Sequence, residues 1–176
     1  MTYKIVFFTL LVIVLIISGV FAPRIIKGLQ LKHERNDVYA IQNVQTGRCL
    51  RPYNAGFHDD NHVILYDHHN WECITWHLIA LGDETFLFEN LYTEKTFEPD
   101  GEPKEGVNLH QRPLSDNTLQ RWELLKQASG EYLIRLKWTD LYLTAGGDDQ
   151  NSPVVLRHLQ DSKSQFWRLL QQKPIV

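Results

Sequence analysis

Histidine and aspartate side chains are concentrated in one polar stretch, residues 58–69, where they could supply metal ligands. Imidazole nitrogens and carboxylate oxygens bind transition metals, and a loop could bring three of them together. Their spacing, however, matches neither a helical pattern nor a Cys-x-x-Cys pattern. We therefore interpret the part of the stretch before Val63 as a hydrated loop that precedes a strand, and we expect no metal site. Its candidate ligands are His58, Asp59, Asp60, His62, Asp67, His68 and His69.

The two cysteines, Cys49 and Cys73, lie close together in the chain. In an exported domain, a bridge between them would close a short loop and contribute about 3 kcal/mol in the chain-entropy account of disulfides. The bridge requires α-carbons within about 7 Å of each other. The sequence does not determine this distance, so it leaves open whether the disulfide forms.

The sequence lacks the motifs of the common catalytic sites. It contains no Gly-x-Ser-x-Gly elbow, no His-Glu-x-x-His pair and no glycine loop for phosphate. Its paired acids, Glu98 with Asp100 and Asp148 with Asp149, occur in turn-like segments, where carboxylates are usually solvated. A formal net charge of −3 without a basic stripe disfavours nucleic acid. We predict a protein that is not an enzyme, needs no cofactor and does not bind nucleic acid.

An uncharged apolar run occupies residues 5–22, and a charged linker follows it over residues 23–37. The run is near the short end of what spans a bilayer, and it also fits a signal peptide. Pro23 is unfavourable for cleavage by a signal peptidase, which favours an uncleaved anchor. The sequence still leaves open whether residues 1–22 are a signal peptide or a transmembrane anchor. The downstream charges favour a cytoplasmic domain, whereas the short N-terminal tail is typical of export. We expect a domain outside the cytoplasm, membrane-anchored or secreted.

Three tryptophans recur at a nearly constant spacing of about 45 residues, which is typical of stacked repeats. Each tryptophan is followed two positions later by leucine, and two of them belong to a Gln-x-Trp motif. The first unit has Ile74 in place of the glutamine. The members of the repeat are Trp76, Trp122, Trp167, Gln120 and Gln165.

Other apolar residues repeat at the same offset and alternate with polar ones, which predicts short strands with one buried face. Turn residues separate four such strands in each of three units, at about 38–82, 83–128 and 129–172. The repeated positions that open the units are Tyr39, Phe86 and Tyr132, and those of the second strands are Leu50, Phe97 and Leu143.

One unit alone would expose an apolar face and unpaired strand edges. Three units around a pseudo-threefold axis remove both faults by closing a barrel around the repeated side chains. We therefore predict an all-β domain over residues 38–176, a β-trefoil, preceded by an N-terminal hydrophobic helix.

The recurrence of Gln-x-Trp in phase with these strands resembles the ricin B-chain-like (R-type) β-trefoil lectins over nearly the whole chain after the linker. The resemblance implies a shallow sugar site in each unit. In that family an acidic residue after the second strand binds ring hydroxyls, an aromatic residue near the third strand stacks on the sugar, and a polar group completes the site. Carried over, the acidic place falls on Arg51, Glu98 and Thr144, and the aromatic place on Tyr66, His110 and Arg157.

Only the second unit keeps the carboxylate, so the resemblance implies its sugar site there. The residues it implies are Glu98, Asp100, Asn108, His110 and Gln111. The first unit offers Tyr66 and Asp67 without the acid. We expect a non-catalytic glycan-binding module, attached to a membrane through its N-terminal segment or secreted. The alternative is a protein-interaction module, like trefoil inhibitors or receptor-binding toxin subunits, whose sugar sites have degenerated.

Overall fold

The computed structural model of the chain describes residues 37–160 and 162–174, which form twelve strands, four 3-10 turns and no α-helix. The predicted hydrophobic helix and all of the linker before residue 37 lie outside these residues. Within the described part, no helix has the length and apolar character needed to cross a membrane. The strands are β1 (Val38–Asn43), β2 (Cys49–Pro52), β3 (Val63–Tyr66), β4 (Thr75–Ala80), β5 (Thr85–Asn90), β6 (Lys95–Pro99), β7 (Leu109–Pro113), β8 (Trp122–Lys126), β9 (Tyr132–Leu136), β10 (Leu141–Ala145), β11 (Val154–His158) and β12 (Phe166–Gln171).

Six of the strands pair in a closed antiparallel ring. β1 pairs with β4, β4 with β5, β5 with β8, β8 with β9, β9 with β12, and β12 returns to β1. Every strand of the ring therefore has a neighbour on both sides. Closure of this kind removes the exposed edges that would leave backbone groups unpaired.

The other six strands form three antiparallel hairpins, β2–β3, β6–β7 and β10–β11. Each hairpin lies in the chain between two ring strands, so that each third of the described domain repeats the same order of ring strand, hairpin and ring strand. Isolated bridges also join the hairpins to one another. This arrangement confirms the predicted all-β class and the β-trefoil fold.

The repeated apolar residues fill the core of the trefoil. The tryptophans of the three units are fully buried and belong to one cluster with the apolar residues of the strands. Their burial outweighs the cost of ordering three large side chains, because each removes a large apolar surface from water. The repeated residues that open each unit, Tyr39, Phe86 and Tyr132, are only half-buried. The triplets in the cluster are Ile41, Phe88 and Ile134; Leu50, Phe97 and Leu143; Leu65, Leu109 and Leu156; and Trp76, Trp122 and Trp167.

Candidate functional site

The glutamines of the two Gln-x-Trp motifs hold the second and third hairpins against the ring strands that follow them. Gln120 and Gln165 are the last residues of 3-10 turns that lead into β8 and β12. Both are buried, and each side-chain oxygen accepts a backbone N–H of the preceding loop, at 2.9 and 2.8 Å. Each amide nitrogen donates to the carbonyl at the end of the hairpin, at 3.1 and 2.9 Å. In the first unit, Ile74 ends the equivalent turn.

In the second unit, the glutamine also holds a carboxylate. Glu98 on β6 lies opposite His110 on β7. Its Oε2 accepts hydrogen bonds from Gln120 Nε2 at 2.8 Å and from Asn117 Nδ2 at 3.2 Å. The Glu98 side chain is only 12% exposed. Its second oxygen, Oε1, lies 3.8 Å from Arg112 Nε.

His110 lies at the centre of a group of charged side chains and is only 3% exposed. Its Nδ1 is 3.3 Å from an Asp100 oxygen and 3.5 Å from an Asp60 oxygen. Its Nε2 is 3.9 Å from Glu98 Oε1 and has no hydrogen-bond partner among the described residues. Arg112 pairs with Asp60. We call these five residues the carboxylate cluster.

The carboxylate cluster has a buried floor and an exposed rim. Glu98 and His110 form the floor, whereas the Asp60 and Asp100 side chains are more than half exposed. Three carboxylates face one guanidinium and one imidazole, so acceptor oxygens predominate. Because carboxylate oxygens accept two or more hydrogen bonds each, the rim and Glu98 Oε1 can receive several hydroxyl donors from one ligand. The buried ring of His110 contacts carboxylates through its nitrogens.

Asp60 belongs to the first unit and reaches the cluster through the loop between β2 and β3. Its backbone N–H donates to the carbonyl of Gln111, and the N–H of Gln111 donates to the carbonyl of Asn61. Gln111 Nε2 also donates to the carbonyls of Gly56 and His58, at 2.5 and 2.7 Å. The loop of the first unit is thus bound directly to β7 of the second.

The remaining sugar-site residues expected in the second unit support the cluster through other contacts. Asn108 is exposed, and its backbone carbonyl accepts the N–H of Asp100 at 2.9 Å. Gln111 is fully buried, and its amide nitrogen serves the neighbouring loop. The structure therefore brings Glu98, Asp100 and His110 together and places Gln111 beneath the loop that carries Asp60.

The equivalent position of the first unit is occupied by a cation on an aromatic ring. The guanidinium carbon of Arg51 lies 4.1 Å from the centroid of the Tyr66 ring, a cation–π contact. Asp67 is exposed and pairs with Arg48, with an N–O distance of 3.1 Å. One face of Tyr66 is therefore already covered by a side chain of the same unit.

The third unit has a hydroxyl where the second has its carboxylate. Thr144 Oγ1 accepts a hydrogen bond from Gln165 Nε2 at 3.1 Å and donates to the carbonyl of Tyr142 at 2.9 Å. Arg157, at the aromatic place, is half-buried. The glutamine contact is thus shared by two units, while the carboxylate belongs to the second.

Cys49 and Cys73 are free thiols in the structure, so the bridge that the sequence leaves open is not formed. Both side chains are buried in a small apolar cluster with Ala40 and Ile74. Burial, reinforced by the nearby Asp67 carboxylate, raises the pKa of the Cys49 thiol to about 12. A thiol of this kind is neutral at physiological pH and packs as a small apolar group.

The histidines of the polar stretch 58–69 have separate surroundings. His69 stacks on Trp71 with ring centroids 4.1 Å apart, and His68 Nε2 lies 2.7 Å from Gln172 Nε2. Across residues 37–160 and 162–174, no three histidine, cysteine or acidic side chains are arranged to hold a metal ion. In the same stretch, a hydrogen bond from Lys95 holds the pKa of the exposed Asp59 below its usual value.

Three residues of the second-unit site escaped the sequence analysis. Arg112 lies two positions after His110 on β7, and period-two alternation places both side chains on one face of the strand. Asn117 caps the 3-10 turn before Gln120, where its side chain accepts the N–H of Leu119. Asp60 carries no local signal for this site, because its contact is with another unit.

Comparisons with known proteins agree with this description. One family model matches residues 29–112, and its description is "Ricin-type beta-trefoil lectin domain-like". A search of curated protein sequences found no match.

Among solved structures, the chain resembles the designed threefold-symmetric protein ThreeFoil, with a TM-score of 0.74 and 22% identity over 77% of this chain and 99% of that one. A ricin B-like lectin of Macrolepiota procera in complex with lactose gives a TM-score of 0.67 and 16% identity, over 78% and 97% of the two chains. The Rhizoctonia solani agglutinin gives a TM-score of 0.71 and 15% identity, over 78% and 96%.

At these identities the solved structures establish the fold alone. The family model that matches residues 29–112 describes a β-trefoil of the ricin type. In agreement with it, the glutamines of the repeated Gln-x-Trp motif occupy equivalent places in two units. The predicted resemblance is therefore confirmed: residues 29–112 match the ricin-type β-trefoil lectin-like family model, and the chain shares the β-trefoil fold of the solved structures.

Proposed function

We propose that the chain is a non-catalytic carbohydrate-binding module and that the carboxylate cluster of its second unit is the sugar site. The observation that carries the proposal is the position of Glu98. One of its oxygens is held by Gln120 and Asn117. The other lies 3.9 Å from His110 Nε2 and 3.8 Å from Arg112 Nε, and these two side chains also contact Asp60 on the exposed rim. A carboxylate fixed in this way loses little conformational entropy when it accepts ligand hydroxyls.

The charges of the cluster favour neutral sugars rich in hydroxyl groups. Three carboxylates face a single guanidinium, that of Arg112, which already pairs with Asp60. A sulfated or carboxylated sugar would bring another negative charge against this rim and would be repelled. The lactose bound by the Macrolepiota procera lectin supplies a suitable neutral probe.

The experiment is isothermal titration calorimetry of the domain with lactose, beside a glycan array of neutral and anionic sugars. Glu98→Gln removes the charge of the floor but keeps its size, and we expect it to weaken lactose binding about tenfold or more. Glu105→Gln, an exposed acid in the same hairpin, is the matched control and should bind like the wild type. Absence of binding to every sugar at millimolar concentration would refute the proposal.

A protein partner is the second candidate, and the first and third units favour it. Arg51 and Thr144 replace the carboxylate there, and Arg51 covers one face of Tyr66. These two units keep the trefoil scaffold without the acid of a sugar site. A pull-down that survives excess lactose and is lost in Arg51→Glu would support a protein-binding face, whereas a pull-down abolished by lactose would contradict it.

We also propose that residues 1–22 attach the domain to a membrane, with the domain outside the cytoplasm. The support is the uncharged apolar run over residues 5–22, which has the composition of a spanning helix or a signal segment. Protease added to intact cells should digest the domain, and fractionation should recover it with membranes. Full protection until the cells are lysed would contradict this placement, and release into the medium would show a cleaved signal peptide.

A further inference from the structure

Two aromatic rings contact each other on the surface, beside the loop that carries Asp60. Phe57 is 55% exposed and Tyr92 is 41% exposed, and their ring centroids are 4.7 Å apart with a tilt of 43°. Phe57 lies in the loop between β2 and β3, and Tyr92 lies in the turn between β5 and β6. We call this pair the aromatic platform.

The aromatic platform is part of a local concentration of exposed hydrophobic side chains. The described part of the chain has five large exposed hydrophobic side chains, and Phe57, Tyr92 and Tyr53 are three of them. Tyr53 belongs to the same loop as Phe57. Exposed apolar surface costs free energy in proportion to its area, and a concentration of it commonly marks a binding surface.

The loop presents Phe57 in a fixed position. The buried Gln111 side chain donates to the carbonyls on both sides of Phe57, those of Gly56 and His58. The buried Asn61 side chain donates to Gly56 as well, at 3.1 Å. Because the loop is held in place before any ligand arrives, binding on the platform costs little ordering entropy.

The same loop connects the platform with the carboxylate cluster. Asp60, three residues after Phe57, reaches His110 and Arg112, while Asp59 pairs with Lys95 at the start of β6. Because three residues of extended chain span at most about 11 Å, the α-carbons of Phe57 and Asp60 lie no further apart than that. The loop therefore keeps the platform near Asp60, at a distance that a short chain of sugar rings can span.

The chemistry of the platform suits a sugar ring. An aromatic face covers the apolar C–H face of a pyranose, and the Tyr92 hydroxyl and the Asp59–Lys95 pair offer hydrogen bonds at its border. Resting on the proposed function, we propose that the aromatic platform is an outer subsite. It binds a second or third ring of a neutral glycan whose terminal ring occupies the carboxylate cluster.

The test compares a short and a long probe by isothermal titration calorimetry. The probes are lactose and the lactose-containing tetrasaccharide lacto-N-neotetraose. We expect the wild type to bind the tetrasaccharide about tenfold more tightly than lactose, a gain of about 1.4 kcal/mol, which lies within the range of aromatic contacts. Phe57→Ala with Tyr92→Ala should abolish this gain and leave the affinity for lactose unchanged.

Two further variants separate a lost platform from a disturbed fold. Phe57→Leu keeps an apolar side chain without the aromatic face and should also lose the gain. Trp138→Ala removes another exposed aromatic residue, 65% exposed and in the third unit, and should retain it. Circular dichroism of each variant checks that the domain is folded.

The outcomes separate the two proposals. A wild type that binds lactose and the tetrasaccharide equally, or a gain that persists in the double variant, overturns the outer subsite alone. A wild type that binds no sugar overturns the carbohydrate-binding function on which the subsite rests. Self-association that Phe57→Ala abolishes, with glycan binding unchanged, would assign the platform to a second copy of the chain and overturn the subsite.

Discussion

At the scale of single residues, the three core tryptophans have the same burial but different hydrogen bonds. The indole N–H groups of Trp76 and Trp167 donate to the carbonyls of Leu50 and Leu143, both at 3.0 Å. The indole N–H of Trp122 has no partner among the described residues. The tryptophan side chain therefore packs in the same way in each unit, but its indole N–H makes a hydrogen bond within the described residues in only two of the three units.

This difference predicts unequal effects of tryptophan-to-phenylalanine substitution. Trp167→Phe loses a buried hydrogen bond as well as packing, whereas Trp122→Phe removes an unpaired donor. We expect Trp122→Phe to lower the free energy of unfolding by about 1 kcal/mol less than Trp167→Phe does. Urea denaturation followed by circular dichroism measures both values. An equal loss in the two variants would show that the unpaired donor has no cost.

The cysteines allow a second prediction at this scale. Burial raises the pKa of Cys49 to about 12, so thiolate is nearly absent at pH 8. In the native protein, Cys49 and Cys73 should react with a thiol reagent much more slowly than free cysteine. Both should react once the protein is unfolded in denaturant without reductant. Failure of both to react in denaturant would indicate a disulfide.

At the scale of elements, the pairing of β8 with β9 includes a charged network. Glu123 accepts hydrogen bonds from Arg135 Nε at 2.5 Å and from Lys137 Nζ at 2.9 Å. Burial opposes the ionisation of Glu123, but the hydrogen bonds from Arg135 and Lys137 outweigh it and hold its pKa below the usual value. The network therefore stabilises the folded state only while Glu123 is charged.

The sign of this pKa shift predicts how stability depends on pH. A carboxyl whose pKa is lowered by folding contributes its full stabilisation above its unfolded pKa and loses it as the pH falls through the folded pKa. Glu123→Gln should cost about 1 kcal/mol at pH 7. The difference between wild type and variant should shrink as the pH falls below about 4. Urea titrations from pH 3 to 7 measure it, with Glu105→Gln as a control, and a pH-independent difference would contradict the mechanism.

The elements also show what sequence periodicity can and cannot predict. Strands and turns repeat in each unit, so the spacing of Trp76, Trp122 and Trp167, together with the alternating apolar residues and turn residues between them, predicted the β-trefoil. Glu98 was predicted from the resemblance to the R-type lectins, which implies an acid directly after the repeated residue of the second strand. Asp60 was not predicted as part of this site, since its contacts with His110 and Arg112 depend on how two units meet. The spacing of residues within one unit contains no information about contacts between two units.

At the scale of the whole molecule, the barrel closes only when β12 is in place. β12 pairs with β1 on one side and with β9 on the other, and it carries the buried Trp167. Without it, two ring strands would each expose an unpaired edge. The stability of the domain is therefore shared among all three units.

Closure predicts that the domain unfolds as one unit. Truncation before Phe166 removes β12 and should abolish the cooperative thermal transition, because the open edges and the lost core cannot be compensated. Truncation after Lys173 retains β12 and should keep the transition. Thermal melts followed by near-ultraviolet circular dichroism compare the two, and a cooperative transition in the shorter protein would contradict this view.

The hydrogen bonds from Gln111 to the first unit's loop make the carboxylate cluster depend on two repeats at once. The carboxylate cluster takes four of its members from the second repeat and Asp60 from the first. A graft that transplants the second repeat alone would therefore leave out Asp60. The proposed sugar site depends on the junction of two repeats, so a change in the first repeat's loop can alter a site whose other members all belong to the second.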